Sequence, residues 1–411
     1  MRFAHMADCH IGGWNDSKLR ELSHRAFETA TKLCIQEKVD FVLIAGDLFN
    51  TSLPGIESLK VAVENLKLMR DHGINVYVIP GSHDYSPSGK TILDVLEKAE
   101  LITNIFRFED GQLRLTTDEK TGAKIMGIIG RRGGLEIGYY EALDKLAHSK
   151  SDGFKIFMFH STLKELVPGT MDMMEHIELA HLPKGFDYYA GGHVHIITTK
   201  RFEGYGTVSY PGPLFPNSFS ELEELKNGGM YIVETEGPEH ADLPRGRSSV
   251  TATYVPIVLT NVLSLSLDCN AKTPEEINAE LISLVDTKEL ISTIITLRLS
   301  GELKSGKTTE IDYRSFIREC YDRGAYFVMK NTNKLTSKEF REIKAVDASI
   351  EKIEEMIIDE NPGDITVEGW TAETQKSIIK ALMAALDKEK EEGETSTDFE
   401  TRVREDAGKE F

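Results

Sequence analysis

The chain is poor in cysteine and poorer in tryptophan, with four and two respectively among 411 residues. Cys9, Cys34, Cys269 and Cys320 show no C-x-x-C spacing, which excludes a zinc ribbon or disulfide framework and points to a reducing cytoplasmic setting. No apolar run is long enough to span a bilayer, so no membrane role is expected. Met1–Ala7 is too short and too polar for a signal peptide. Positive charge is scarce as well: 48 Lys and Arg stand against 67 Asp and Glu, a net charge of −19. Taken alone, that balance argues against a nucleic-acid binder, whose usual footprint is basic. Part of the deficit is local, because residues 387–411 hold ten acidic and five basic side chains and read as a solvated or frayed tail. What is present is an ordinary globular composition, 40% hydrophobic and 28% charged, on a chain long enough for two or three domains.

Apolar runs and helical periodicity alternate through the first hundred residues. Strands are expected over Arg2–Ala7, Val39–Ala45 and Asn75–Ile79, with helices over Leu19–Gln36, Ile56–Arg70 and Thr91–Glu100. The second strand is almost wholly apolar, as a parallel strand buried on both faces should be. Shorter strands follow at Lys124–Gly130, Phe154–Phe159, Asp187–Ala190, Thr207–Tyr210 and Gly229–Glu234, read as a second, antiparallel set. The fold class is therefore α/β, two packed sheets flanked by helices. Thr235–Ser249, rich in Gly, Pro and charge, marks a boundary. Beyond it comes a small α+β domain, whose first helix starts at N-cap Thr273 with Pro274 and Glu276 behind it. From Thr336 only helical patterns remain, over Ser337–Ile358 and Thr371–Glu391, either a self-packed hairpin or a docking element. The expected division is 1–240, 250–332 and 336–411.

The polar residues gather at strand ends, the edge where α/β sheets bind ligands. Asp8 and His10 follow the first strand, Asp47 the second, and Ser82, His83 and Asp84 the third. His160, His193 and His195 follow two later ones, so five of the twelve histidines fall at such ends. A mixed carboxylate and imidazole set suits Mn²⁺, Fe²⁺ or Zn²⁺ better than Ca²⁺ or Mg²⁺. Arg131 and Arg132, at another strand end beside two glycines, are candidates for contact with phosphate. Cys9 lies between two candidate ligands and is read as packing.

D-x-H, G-D, G-x-H-D, F-H and G-H-x-H in this order resemble the signature of calcineurin-like metallophosphoesterases. Residues 1–49 resemble more closely the nuclease subunit of double-strand-break repair complexes, the SbcD/Mre type. That resemblance implies a two-sheet phosphoesterase sandwich, a small DNA-capping domain and C-terminal helices that dock an SMC-like coiled-coil ABC ATPase. It implies two Mn²⁺ per subunit, with Fe²⁺ or Zn²⁺ as alternatives, and action on DNA as a 3′→5′ double-strand exonuclease and single-strand endonuclease. Asp8, His10 and His195 would hold one ion, His160 and His193 the other, with Asp47 bridging. His83 would act as general acid or transition-state stabiliser, oriented by a pairing with Asp84. The family commonly has Asn where this chain has Ser82, so a weaker second site is expected. Relatives often carry His where this chain has Asn50. The family's homodimer would use helices near Glu57–Asp71 and Thr91–Glu100, with Leu59, Val63, Leu66, Val95 and Leu96 as its seam. A nucleoid-associated cytoplasmic protein is the expectation.

Two rivals share the same motifs: a phosphatase or nucleotide phosphodiesterase, and a DNA-end-binding adaptor with a weakened site. Gly301–Thr308 (GELKSGKT) matches P-loop spacing. It sits in a small domain with no following strand that ends in Asp, so a plain connecting loop is expected there.

Overall fold

The structure is a computed structural model. It describes residues 1–85, 91–109, 112–131, 136–141, 143, 152–167, 176–236, 249–337, 371, 374, 377–381 and 396–408. Two compact units divide the chain, Met1–Thr336 and Ser337–Phe411. Among the described residues no helix is long and apolar enough to cross a membrane.

The first sheet is built from β1 (Arg2–Met6), β2 (Phe41–Ala45), β3 (Asn75–Ile79), β4 (Thr103–Asn104), β13 (Gly228–Glu236) and β14 (Ser249–Ile257). Its order is β14-β13-β1-β2-β3-β4, parallel from β1 to β4 and antiparallel at β13 and β14. The second holds β7 (Thr116–Thr117), β8 (Lys124–Gly127), β9 (Lys155–His160), β10 (Tyr188–Gly192), β11 (Thr198–Arg201) and β12 (Thr207–Tyr210), in the order β11-β12-β10-β9-β8-β7. A separate hairpin pairs β5 (Phe108–Glu109) with β6 (Gln112–Leu113).

Period-two alternation sorts each strand between two layers. Phe3, Phe41, Leu43 and Ala45 face inward and meet Ile156, Met158, Tyr188 and Ala190 of the second sheet. Their neighbours Ala4, Met6, Val42 and Ile44 face outward, against α1 (Ser17–Gln36), α2 (Ile56–Asp71) and α3 (Ile92–Lys98). Phe157, Phe159 and Tyr189 form the outer core of the second sheet. Local signals start the helices: Asp16 caps α1 through the N–H groups of Lys18 and Leu19, and Thr91 with Asp94 forms a capping box on α3. Cys9 is buried among these apolar side chains, as packing requires.

Three readings are corrected. The second sheet is parallel at its centre, β8-β9-β10-β12, and antiparallel only at its outer strands β7 and β11. Gly228–Glu236 belongs to the first sheet, paired with β1, and Ser249–Ile257 pairs with it in turn. The stretch 237–248 thus lies between two hydrogen-bonded strands of one sheet, and residues 237–248 themselves lie outside the described residues. Of the residues named for a dimer seam, Leu66 and Leu96 are buried, Leu59 and Val63 are partly buried against the core, and Val95 is 58% exposed.

The small α+β layer joins β15 (Asn261–Asp268), β16 (Thr293–Leu303) and β17 (Phe327–Ser337) with the helices Pro274–Ser283 and Tyr313–Asp322 around its own core. Thr273 and Glu276 form the expected capping box. The P-loop-like stretch does not form a P-loop. Gly301–Leu303 are the end of β16, a 3-10 turn covers Thr308–Glu310, and the helix begins only at Tyr313.

In the second unit, Ser396–Gly408 forms a helix within the stretch read as a frayed tail, which corrects that reading. Residues 377–381 are helical, whereas the expected Ser337–Ile358 helix lies outside the described residues apart from Ser337, which ends β17.

Candidate metal centre

The two sheets bring their strand ends to one edge. Past β1 and β2 the chains keep pairing, Asp8 N–H to Gly46 C=O at 3.1 Å and His10 N–H to Asp47 C=O at 3.0 Å. That carries both carboxylates beyond the sheet. The backbone there is unusual: Asp8, His10, Asp47, His193 and His195 all have positive φ, from 42° to 100°. They make up half of the ten described non-glycine residues in that region. Each such residue costs roughly 1–3 kcal/mol, strain that concentrates at functional sites. Gly46, Gly130 and Gly192 crowd His160, and a Cβ on any of them would run into its ring or the backbone beside it.

Six expected residues meet here. Asp8 Oδ1 lies 3.7 Å from His195 Nε2 and 4.0 Å from His160 Nδ1. Asp47 Oδ2 lies 3.3 Å from His160 Nε2 and 3.8 Å from His10 Nε2. His10 Nε2 and His195 Nε2 face each other at 3.0 Å. The His193 N–H donates to both Asp8 oxygens, at 3.0 and 3.1 Å, and its ring stands 5.1 Å from that of His160. Ser82 is buried in the turn before His83.

Three overlapping groups have ligand atoms within 4.8 Å of one another: Asp8, His10 and His195; Asp8, Asp47 and His160; His10, Asp47 and His83. The first is the set expected for one ion. In the second Asp8 joins Asp47 beside His160, and His193 appears in none of the three.

The donors fit divalent cations. His160 donates Nδ1–H to the Ala45 carbonyl at 2.8 Å, so in its neutral form Nε2 is the ring nitrogen left to ligate. That buried Nε2 and His10 Nδ1 have no hydrogen-bond partner. Two imidazole nitrogens 3.0 Å apart share room for one proton, and a cation between them removes the lone-pair repulsion. Burial lowers His10 to about 3 and His193 to about 4, the neutral form that ligates metal. Burial would raise Asp47, but the imidazoles of His160, His10 and His83 outweigh it and hold this carboxyl well below the usual range. Burial would lower His160 as well, yet Asp47 and Asp8 lift it to about 10. The cleft therefore draws positive charge, and these residues suit two divalent ions.

The pairing of His83 with Asp84 is corrected. His83 gives its backbone N–H to Asp47 Oδ1 at 2.8 Å, and its ring Nδ1 meets the Asn50 carbonyl at 2.7 Å. Asp84, fully buried, accepts instead from the N–H groups of Leu48, Phe49 and Gly81, each at 3.1 Å. It braces two loops rather than an imidazole. Burial, reinforced by Asp47, raises its pKa to about 7 against those three donors.

Arg131 lies against Tyr85, its guanidinium carbon 4.7 Å from the ring centroid and one N–H bonded to the hydroxyl at 2.8 Å. Arg132 lies outside the described residues. One residue escaped sequence reasoning altogether. Glu221, from α4 (Phe219–Glu224), places Oε1 3.1 Å from His195 Nδ1. Ser218 and Glu221 show the S-x-x-E spacing of a helix start, a visible signal. Its reach to a histidine 26 positions away is not visible in that spacing.

Residues 1–196 match the family model of the calcineurin-like phosphoesterases. The curated proteins the chain resembles include several archaeal ones named DNA double-strand break repair protein Mre11. The one from Archaeoglobus fulgidus is 28% identical over 266 residues, 59% of each chain. The one from Methanococcus maripaludis is 30% identical over 248 residues, 58% of this chain and 64% of that one. The one from Sulfolobus acidocaldarius is 25% identical over 401 residues, 95% and 97%. The match thus spans less than two thirds of the first two relatives and nearly all of the third.

Proposed function

We propose that the chain is a Mn²⁺-dependent DNA nuclease, a 3′→5′ double-strand exonuclease and single-strand endonuclease that processes ends in double-strand-break repair. The observation that carries this reading is the cradle of buried Asp8, His10, Asp47 and His160 with half-buried His195, and His83 on its rim. The names of the archaeal relatives support DNA as the substrate. When bound, two divalent ions activate water and neutralise charge on the phosphodiester. The chain's own part would be to hold them, with Asp8, His10 and His195 at one, His160, His193 and Ser82 at the other, and Asp47 shared. Because His83 Nδ1 is engaged by Asn50, its Nε2 is the free edge, next to the His10 ring with centroids 4.9 Å apart. From there it donates a proton to the departing 3′ oxygen. Mn²⁺ is chosen over Ca²⁺ and Mg²⁺ by the imidazole share of the donors, a preference Fe²⁺ and Zn²⁺ satisfy too. Arg131 would steady phosphate from the side of Tyr85, with Arg132 next to it in sequence.

The remaining parts of the reading follow the family. The division would be a nuclease domain over 1–240, a DNA-capping domain over 250–332, whose first residues as far as Ile257 complete the nuclease sheet, and a partner-binding region over 336–411. The last would dock a coiled-coil ABC ATPase, and a second copy of this chain would pair near the active site. The setting would be the cytoplasm, at the nucleoid. The test is cleavage of end-labelled duplexes and hairpins with Mn²⁺, native chain and His83→Ala in parallel. Loss of cutting with Mn²⁺ retained supports the reading. Preference for phosphomonoesters over DNA moves it to a phosphatase, and DNA binding without cutting to an adaptor.

A further inference from the structure

We propose that Glu221 is a positioning residue of the metal centre, holding His195 in the tautomer that turns Nε2 toward Asp8 and His10. A carboxylate only accepts, so the nitrogen it meets at 3.1 Å must be Nδ1–H, which in the neutral, metal-ligating ring leaves Nε2 as the atom free to ligate. That Nε2 is the atom 3.7 Å from Asp8 Oδ1 and 3.0 Å from His10 Nε2. Glu221 is itself held. Its Oε2 accepts the Asn217 N–H at 2.8 Å, and Oε1 also accepts the Ser218 hydroxyl at 3.1 Å. The loop before it is latched by the Trp14 indole N–H on the Pro216 carbonyl at 2.9 Å.

The same loop reaches the other side of the cleft. Asn217 donates its amide to Asn50 Oδ1 at 3.2 Å, and the Asn50 carbonyl is the group that engages His83. One continuous set of bonds therefore runs from His195 through Glu221, Asn217 and Asn50 to His83. A ligand of one ion and the proposed acid are set by a loop that touches neither reacting group. Partners of this kind, behind a ligand histidine, change metal affinity roughly 10–100-fold when removed.

The inference rests on the metallophosphoesterase reading, and the experiment separates the two. Mn²⁺ alone is titrated calorimetrically into the metal-free full chain, native, Glu221→Ala and Glu221→Gln. The expected result is one ion weakened roughly 10–100-fold in Glu221→Ala, the other within about twofold of native. Glu221→Gln keeps one acceptor oxygen for His195 and should fall between. If Glu221→Ala does not fold, Glu221→Gln decides: at least a threefold weakening at one ion supports the role, and native affinity overturns it. Equal weakening at both ions, or none, overturns it while the two-ion reading stands. A native chain that binds no Mn²⁺ overturns both.

Discussion

Asp84→Asn distinguishes a catalytic partner from a brace. The native carboxylate accepts three buried N–H groups, Phe49 on Oδ1 and Leu48 and Gly81 on Oδ2. An amide in the same place keeps one oxygen, enough for Leu48 and Gly81, and turns its NH₂ against the Phe49 N–H. One buried donor is then unsatisfied and faces another, a cost of about 1–3 kcal/mol. For a unit of 336 residues that lowers the midpoint of thermal unfolding by roughly 1–4 °C. Asp84→Ala leaves all three donors bare and should cost more. The assay pairs thermal unfolding of the metal-free protein with Mn²⁺-dependent cleavage well below the melting range. A brace predicts lower stability with His83 still seated on Asn50, so cutting falls far less than in His83→Ala. A variant of native stability that has lost cutting would refute the reasoning and return Asp84 to the chemistry.

His83→Ala should keep both Mn²⁺ ions and lose roughly 10²–10⁴-fold in cutting, checked by calorimetry beside end-labelled cleavage. Ser82→Asn supplies an amide oxygen where the hydroxyl is a poor neutral donor, so Mn²⁺ titration should show the weaker ion tightened. Finding two equally tight ions in the native chain would count against a Ser82 defect. Burial holds His5 at about 3 in the folded chain against 6.5 as a free group. Its neutral form therefore contributes stability above pH 6.5 that is lost as pH falls from 6.5 toward 3, about 1.4 kcal/mol per pH unit. His5→Gln should unfold with one proton fewer in that window, measured by urea melts at stepped pH.

Much of the site could be read before any coordinate. Strand interiors such as Phe41–Ala45 and Asn75–Ile79 are β-branched or aromatic runs that end in Gly or Pro, and period two assigns their faces. Polar residues just past such ends collect at one sheet edge in any parallel arrangement, so Asp8, His10, Asp47, His83, His160, His193 and His195 could be gathered in advance. Capping boxes at Thr91 and Thr273 are equally local. The antiparallel second sheet was misjudged for the opposite reason. Short strands at even spacing look alike whether they pair with the next strand or with a distant one, and β8-β9-β10-β12 pair in parallel around intervening loops.

The sequence by itself determined which side chains line the cleft, because residue type and strand phase are properties of a few consecutive positions. Tertiary structure alone decided who holds them. Asp84 meets N–H groups 35 and 36 positions away, His160 meets a carbonyl 115 away, and Asn217 reaches Asn50 across 167. No local pattern encodes such distances. A hydrogen bond depends on where two loops are brought by the whole packed core, and that is why the orienting partners of His83 and His195 became visible only in the folded chain.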